Sequence, residues 1–444
     1  MEPVQISILV NTLIFGIACI GSGVLIWIIK LPGKGYKLLF LLYTLFWIPL
    51  MLLRENTATM QSGIGEMSIL WIPLSAYGFV GIFVRPLANI ISARVKSRKS
   101  FIYLALFIQI ATYIPIIACP CSATNIIQSI GVGVGASCIA TYQLLFDEQY
   151  SKSKTFLTIS VLSIPPLLAD FISSPITSIF RSNNTTDPNI LKYLWLIGLA
   201  FVLISWVIAF FVKEDRNLVN LYDSKKLQIK TKSEITTYVL LVFLGFLIAF
   251  IKFANSSSLA VLHIQKLSDN TSGPYEGYLS LLFSFGQLTG GLLTGLVLIK
   301  YTNRLLTFGI GSIVWVLYHV LAMIITNPFG YLGVHILNGL AYGIVYNFIL
   351  GFILMRQFKK RTFNPMDIYQ SVLSVGITVS TFFVSYLKGN LKGLDLDQYM
   401  KLMQIINGVI IGTVGLSFFT YLSVYLIEKN IKMMNNQQVS QKRV

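Results

Sequence analysis

Residues 49–60, PLMLLRENTATM, place an arginine and a glutamate at the end of a long apolar run. About two hundred residues later the pattern returns in residues 249–259, AFIKFANSSSL, where Lys252 precedes an asparagine and three serines. A charge inside a bilayer-spanning segment costs roughly 2.5–3.5 kcal/mol on insertion scales, so such residues mark functional sites that face a cavity. The recurrence predicts two similar halves with one site between them.

The composition indicates an integral membrane protein. Of 444 residues, 55% are hydrophobic and 11% are charged, whereas about 25% of the residues of soluble proteins are charged. The net charge of +17 would suggest nucleic acid as the partner of a soluble protein. Here the basic residues concentrate in a few short loops, as they do in the cytoplasmic loops of membrane proteins. We therefore expect a lipid bilayer as partner and no nucleic acid.

Apolar runs define the membrane topology, since a spanning helix needs about 20 mostly apolar residues. Thirteen runs meet this condition, at roughly residues 5–29, 36–60, 68–92, 101–119, 124–147, 155–180, 191–213, 236–264, 275–299, 305–326, 328–356, 365–387 and 399–427. With the N-terminus outside, nearly every basic cluster lies on the cytoplasmic side. We expect a multi-pass protein of the plasma membrane with a cytoplasmic C-terminus.

One long hydrophilic connection, between Lys213 and Thr237, divides the helices into seven and six. If the first helix is an addition, six helices remain in each half, which is the plan of a transporter made of two repeats that rock about a midplane site. The predicted fold is an all-α membrane protein of twelve helices in two six-helix halves, plus an extra N-terminal helix. The predicted segments are an extra helix in 1–33, an N-terminal half in 34–213, a cytoplasmic linker in 214–235, a C-terminal half in 236–430 and a cytoplasmic tail in 431–444.

Arg54 and Lys252 are the main candidates for binding a substrate. If two fixed cations face each other across a cavity they bind an anion, because the arginine fork fits phosphate or carboxylate and the lysine supplies a point charge. The alternative is that Arg54 forms a structural ion pair with Asp170 or Glu55. A third cation, Arg85, either lines the cavity or extends along its helix to the membrane surface.

Other polar residues within the apolar runs complete the predicted site. Two carboxylates are candidates for proton coupling, because burial in a helix bundle favours the protonated acid; they are Asp170 and Glu55. Further candidates for contact with substrate are Asn56, Asn255, Gln287, Tyr142, Asn338, Tyr342 and Tyr346. The four cysteines have no zinc-binding spacing, so we expect no metal and no cofactor.

Several of these features resemble the major facilitator superfamily. The six-plus-six plan, the long central linker and the basic loop at residues 92–99, SARVKSRK, resemble that family over nearly all of residues 36–430. Its loop signature, Gly-x-x-x-Asp-Arg-x-x-Arg-Arg/Lys, keeps its basic residues here, whereas Asn89 replaces the glycine and Ala93 the acid. The resemblance implies the twelve-helix fold and transport by alternating access.

Within that superfamily, three cations are similar in place to those of the organophosphate/phosphate antiporters. These are Arg54 in the first helix of the twelve, Arg85 in the second and Lys252 in the seventh, although that group carries arginine where this chain has Lys252. The resemblance implies that the three cations line an anion site and that Arg54 and Lys252 clamp the phosphate.

The predicted function is secondary active transport of a small organic anion, such as a sugar phosphate, by a monomer acting through antiport or symport. An enzyme is not expected, because the sequence has neither a His-Glu-x-x-His metal helix nor a Gly-x-Ser-x-Gly elbow. Two alternatives remain open. One is a proton-coupled carrier for a peptide or other zwitterion, and the other is a receptor or scaffold that keeps the fold without transport.

Overall fold

The computed structural model describes residues 3–28, 35–150, 161–162, 164–181, 187–219, 227–254, 258–268, 276–358, 364–391 and 395–441. Asn255, one of the predicted site residues, lies outside these ranges, and the side chain of Glu55 is also outside the described part of the chain.

The described chain is almost entirely helical. Ahead of the linker, the helices are α1 (Pro3–Ile28), α2 (Tyr36–Ile64), α3 (Trp71–Arg94), α4 (Arg98–Ala118), α5 (Ser122–Ser137), α6 (Ile139–Tyr150), α7 (Ile164–Arg181) and α8 (Pro188–Phe211). After it come α9 (Lys232–Ala254), α10 (Ser258–Leu267), α11 (Glu276–Leu293), α12 (Arg304–Ile324), α13 (Pro328–Leu354), α14 (Pro365–Leu391) and α15 (Leu396–Gln441). Strands β1 (Leu227–Ile229) and β2 (Arg356–Phe358) pair in parallel.

The predicted all-α membrane fold is confirmed. In the described residues, 12 helical segments are long and apolar enough to span a membrane, and α7 supplies a shorter apolar segment, Ile164–Phe180. Residues 122–149, covering α5 and α6, form one of the 12 spans. With α1 set aside, five of the 12 spans and the shorter α7 segment precede the linker, and the other six spans follow it. We call these two sets the N-terminal half and the C-terminal half.

Three local features differ from the sequence prediction. The span expected at 236–264 begins earlier, at Lys232. The last helix continues to Gln441, well past residue 430, because its polar end is rich in the helix-forming residues lysine, methionine and glutamine. The strand pair β1–β2 was not expected, since three-residue strands are too short for an alternating pattern to reveal them.

The extra helix α1 lies at the edge of the bundle. Only 11% of its most apolar 18-residue window is buried, compared with 78% for α2. It packs on α7 of the N-terminal half. It also reaches the C-terminal half, because the hydroxyl of Tyr278 on α11 donates to the Asn11 side chain at 3.1 Å.

Glycines bring α11 and α13 into backbone contact. A Cβ atom added at Gly286 would collide with the carbonyl oxygen of Ile336, and one added at Gly339 would collide with that of Phe283. Small residues at this spacing allow helices to approach closely where lipid provides no hydrophobic drive to associate. The close approach fixes α11 against α13, and both helices carry residues of the central cavity.

The two halves also meet at the end of the bundle that carries the basic loop of residues 92–99, which we call the basic end. Asn89 on α3 donates to the Asp367 carboxylate on α14 at 2.5 Å. Close by, the buried Arg98 side chain forms an ion pair with Glu148 at 2.8 Å. Arg98 also donates to the backbone oxygen of Asn89 at 3.1 Å, so both residues belong to one polar network that includes the half-to-half contact.

Candidate functional site: a cationic cavity between the halves

A cavity of about 90 Å³ lies between the two halves. Its wall includes residues of α2, α3, α6 and α7 from the N-terminal half, and of α9, α11, α13 and α14 from the C-terminal half. Because both halves contribute, a change in their relative tilt would change access to the cavity.

Helix α2 presents one face to this cavity. Tyr43, Trp47, Met51 and Arg54 all line it, and their spacing of four, four and three residues places them along one side of a helix. The helix extends between two glycines, Gly35 and Gly65, whose φ angles of 91° and 89° lie in the left-handed region that other residues avoid. The sequence thus sets both the ends of α2 and the face that it turns inward.

Arg54 points its guanidinium toward the C-terminal half. Its guanidinium carbon lies 5.7 Å from the ring centroid of Phe253 on α9, within the range of a cation–π contact. Its Nε is buried and has no hydrogen-bond acceptor among the described residues. Within the described side chains Arg54 forms no ion pair with Asp170. The structural ion pair with Asp170, considered as an alternative above, is therefore not present.

Lys252 lies among aromatic rings of the C-terminal half. Its Nζ is 4.2 Å from the ring centroid of Tyr342, 5.2 Å from that of Phe253 and 5.4 Å from that of Phe283. Arg54 and Lys252 line the same cavity. They carry like charges in a region of low dielectric, where repulsion is strong, so an anion placed between them would be stabilised by both.

Arg85 lies deep in the cavity wall and does not extend to the membrane surface. Only 1% of the residue is exposed. Its Nη1 donates to the backbone oxygen of Gln370 at 3.1 Å and to its Oε1 at 2.7 Å, which links α3 to α14. Gln370 in turn donates to Gln143 at 3.4 Å. In the described part of the chain the buried Nε of Arg85 has no acceptor, so this cation also retains a donor for a ligand.

Space for Arg85 comes from a glycine one turn earlier. A Cβ atom at Gly81 would lie 2.7 Å from the hydroxyl oxygen of Ser374 and 3.3 Å from the Nε of Arg85. Any larger residue at this position would displace the arginine or separate α3 from α14. Glycine here therefore permits both the close helix contact and the placement of the charge.

Asp170 is the carboxylate of the cavity wall. It lies on α7 and is 4% exposed, and Ser284 on α11 donates a hydrogen bond to its Oδ2. This bond joins the two halves on the side of the cavity where α7 and α11 meet. In the described part of the wall, three cations face this one carboxylate, so the cavity is electropositive.

The structure brings together seven of the predicted site residues: Arg54, Arg85, Asp170, Lys252, Gln287, Tyr342 and Tyr346 line the cavity. Three others are buried beside it without lining it. Asn56 donates to Thr177 at 3.2 Å, Tyr142 stacks on Tyr43 with centroids 4.6 Å apart, and Asn338 accepts a hydrogen bond from Trp315 at 2.8 Å. These three occupy positions that support the helices carrying the site.

Sequence reasoning predicted Tyr342 and Tyr346 but missed the other aromatic residues of the wall and one glutamine. The missed residues include Tyr43, Trp47, Tyr77, Phe253, Phe283 and Gln370. The four-residue spacing of Tyr43, Trp47 and Met51, followed by Arg54, could have predicted that this side of α2 lines the cavity. No comparable signal exists for Phe253, because phenylalanine is common in membrane helices.

The three histidines of the chain lie apart from the cavity wall, in the C-terminal half. All three are buried and hydrogen bonded: His263 to Tyr399, His335 to Tyr318, and His319 to Asn407, at 3.1, 3.1 and 2.8 Å. They connect α10, α12, α13 and α15 to one another. In the described residues, no group of three or more histidine, cysteine, aspartate or glutamate side chains is arranged to hold a metal ion.

The fold is similar to that of a solved membrane transporter. The crystal structure of the human organic anion transporter MFSD10 (TETRAN) matches this chain with a TM-score of 0.62. The match covers 86% of this chain and 97% of that one, at 12% sequence identity, and so establishes the fold alone. No protein-family model matches the sequence, and no curated protein matches it.

Proposed function

We propose that the protein is a secondary active transporter that moves a small organic anion, such as a sugar phosphate or another organophosphate, by alternating access. One observation carries the proposal. Arg54 and Lys252 come from different halves and line one cavity, and neither is ion-paired within the described side chains.

The charge balance of the cavity supports an anionic substrate. A cation in a membrane protein is stable when a counter-charge or hydrogen-bond acceptors surround it. Here aromatic rings contact Arg54 and Lys252, and buried donors of Arg54 and Arg85 have no acceptor on any residue that the structure describes. A phosphate or carboxylate supplies both the negative charge and the missing acceptors.

The architecture supports alternating access. In transporters of this plan the substrate site lies between two halves that rock against each other. The human protein of the same fold is described as an organic anion transporter, which agrees with the substrate class inferred from the cavity. The proposal assigns no catalytic activity to this chain.

A second candidate is a proton-coupled carrier of a zwitterion, and the position of Asp170 favours it. Asp170 lines the same cavity as the cations, so an amine could bind at the carboxylate while an acidic group binds at Arg54 and Lys252. In either case Asp170, or Glu55, is the proposed proton-coupling group. A non-transporting receptor or scaffold is the third possibility, and it predicts binding without flux.

We further propose a monomer in the plasma membrane with its basic end in the cytoplasm. The support is the concentration of Lys and Arg in loops such as residues 92–99, because basic loops are retained on the cytoplasmic side. In this orientation the N-terminus lies outside and the C-terminus lies in the cytoplasm.

Counterflow in proteoliposomes tests the transporter proposal. Vesicles loaded with millimolar inorganic phosphate, glycerol 3-phosphate, glucose 6-phosphate or succinate are diluted into trace amounts of the same labelled anion. Wild-type protein should accumulate label with at least one of them, and Arg54→Ala or Lys252→Ala should reduce the initial rate about tenfold or more, the effect of losing one charged hydrogen bond. Lys300→Ala, which removes an exposed cation, is the matched control. If Arg54→Ala and Lys252→Ala each transported at the wild-type rate, the cation pair would be refuted. Binding of an anion by the wild-type protein without any transport would favour the scaffold.

A further inference from the structure

The ring of Phe253 is shared by the two cations of the proposed site. Its centroid lies 5.7 Å from the guanidinium carbon of Arg54 and 5.2 Å from the Nζ of Lys252. The same ring lies 6.2 Å from that of Tyr77 on α3, at an interplanar angle of 35°. Phe253 therefore contacts both halves at the centre of the cavity.

The internal repeat explains why an aromatic residue occupies this position. When Asn56 and Asn255 are aligned, Arg54 corresponds to Phe253, and Lys252 falls one residue earlier. A strictly symmetric protein would carry a second cation where Phe253 stands. Instead, the position that matches Arg54 holds the ring that contacts Arg54.

An aromatic face attracts cations, because the quadrupole of the ring places negative potential above and below its plane. Arg54 and Lys252 both benefit from this attraction while they repel each other. Within the described side chains no carboxylate is ion-paired with either cation. The Phe253 ring is thus a partner common to both charges.

We infer that Phe253 is a positioning residue that takes the place of the substrate anion when the site is empty. This inference rests on the proposed function. The ring holds the two cations beside the cavity, and a substrate must compete with the ring for them. Loss of the ring removes that competition, so the anion binds more tightly and leaves more slowly.

The inference also predicts which anions are affected most. An anion with two charges, such as a phosphate monoester, can reach both cations and must replace both ring contacts. A monocarboxylate reaches one cation and replaces one contact. Phe253 therefore lowers the affinity for doubly charged anions more than for singly charged ones. By the same competition it speeds the release of doubly charged anions.

The test is a KM-against-kcat comparison in proteoliposomes with glycerol 3-phosphate and lactate as probes. Phe253→Leu keeps an apolar side chain and removes the π face, whereas Phe253→Tyr keeps the face. We expect Phe253→Leu to lower both the KM and the kcat for glycerol 3-phosphate about three- to tenfold, the range of one or two cation–π contacts. The change for lactate should be smaller, and Phe253→Tyr should remain within twofold of wild type.

Phe250→Leu on the same helix is the matched control, because Phe250 packs against Phe383 and does not line the cavity. It should leave both constants unchanged. Should Phe253→Leu prove too unstable for flux assays, Phe253→Met replaces it in the same comparison. If the wild-type protein transports the probes and the KM of Phe253→Leu or Phe253→Met is unchanged or raised, the inference about Phe253 is overturned and the proposed function is not. If wild-type protein neither binds nor transports any anionic probe, the proposed function fails and the inference fails with it.

Discussion

Phe253 and Arg54 occupy corresponding positions in the two halves, and the ring centroid of one lies 5.7 Å from the guanidinium carbon of the other. The repeat in the sequence is thus broken at the centre of the site, where a cation in one half faces a ring in the other. Lys252, one residue earlier, restores the second charge. The result is an asymmetric cation pair in an aromatic cavity, which is the basis of the proposed anion site.

The contact between α11 and α13 should be intolerant of even one added carbon. We expect Gly339→Ala to lower the thermal unfolding temperature in detergent, since overpacking costs about 1–3 kcal/mol and its Cβ would collide with the carbonyl oxygen of Phe283. Gly333→Ala on the same helix is the control, because nothing lies within 4 Å of its Cβ. Equal unfolding temperatures for the two variants would contradict the close packing.

The buried ion pair at the basic end should contribute far more to thermal stability than an exposed ion pair does. Arg98→Ala leaves Glu148 without its cation, and removing one partner of a buried pair costs about 3–5 kcal/mol. The exposed pair Lys401–Asp397 is the comparison, with 74% and 88% of its side chains exposed. Lys401→Ala should leave thermal stability unchanged. Similar losses in the two variants would argue against a structural role for Arg98.

The bond from Asn89 to Asp367 should hold the two halves together at the basic end. Asn89→Ala leaves the carboxylate of Asp367, 2% exposed, without this donor, which costs about 1–3 kcal/mol for a buried group. We expect the population to shift toward a state that is open at this end. Val95 and Ile368 are exposed and lie on the two halves, so spin labels can be attached there. The distance between the labels, measured by pulsed electron paramagnetic resonance, should be longer in Asn89→Ala than in the wild-type protein.

Ser371→Ala is the control for that measurement, because the Ser371 hydroxyl donates within α14 to the backbone oxygen of Asp367 and does not cross between the halves. It should give the wild-type distance distribution. An Asn89→Ala distribution identical to that of wild type would show that the bond does not hold the halves together.

Substitution of Asp170 should abolish proton-coupled accumulation and preserve counterflow exchange. If Asp170 carries the coupled proton, Asp170→Asn abolishes accumulation driven by a pH gradient and leaves counterflow within about threefold of wild type, because counterflow needs no net proton transfer. Ser284→Ala, which removes the donor to Asp170 and keeps the charge, should retain both activities. Gradient-driven uptake in the Asp170→Asn protein would exclude Asp170 as the coupling group.

Much of the fold was predictable because membrane burial constrains a sequence strongly. Apolar length predicts spanning helices, and a charge such as Arg54 or Asp170 within a span is too costly to occur without a role. The cavity wall contains four of the charges selected on this ground, Arg54, Arg85, Asp170 and Lys252.

The remaining features depend on tertiary contacts that no local pattern reveals. Phe253 and Phe283 are ordinary apolar residues in sequence, and only the crossing of helices brings Phe253 to Arg54 and Phe283 to Lys252. For polar residues the opposite error occurred, because some that were predicted to line the cavity lie beside it. Asn338 fits the same helical stripe as Tyr342, yet it accepts a hydrogen bond from Trp315 beside the cavity.

The central claim is that Arg54 and Lys252 jointly bind one anion, and ligand-induced thermal stabilisation of the purified protein tests it most directly. A ligand that binds only the folded state raises stability by about 2.7 kcal/mol at a hundred times its Kd. We expect an organophosphate to raise the unfolding temperature of the wild-type protein and of Lys300→Ala, and to have no effect on Arg54→Ala or Lys252→Ala. Stabilisation of the two cavity variants equal to that of wild type would contradict the claim.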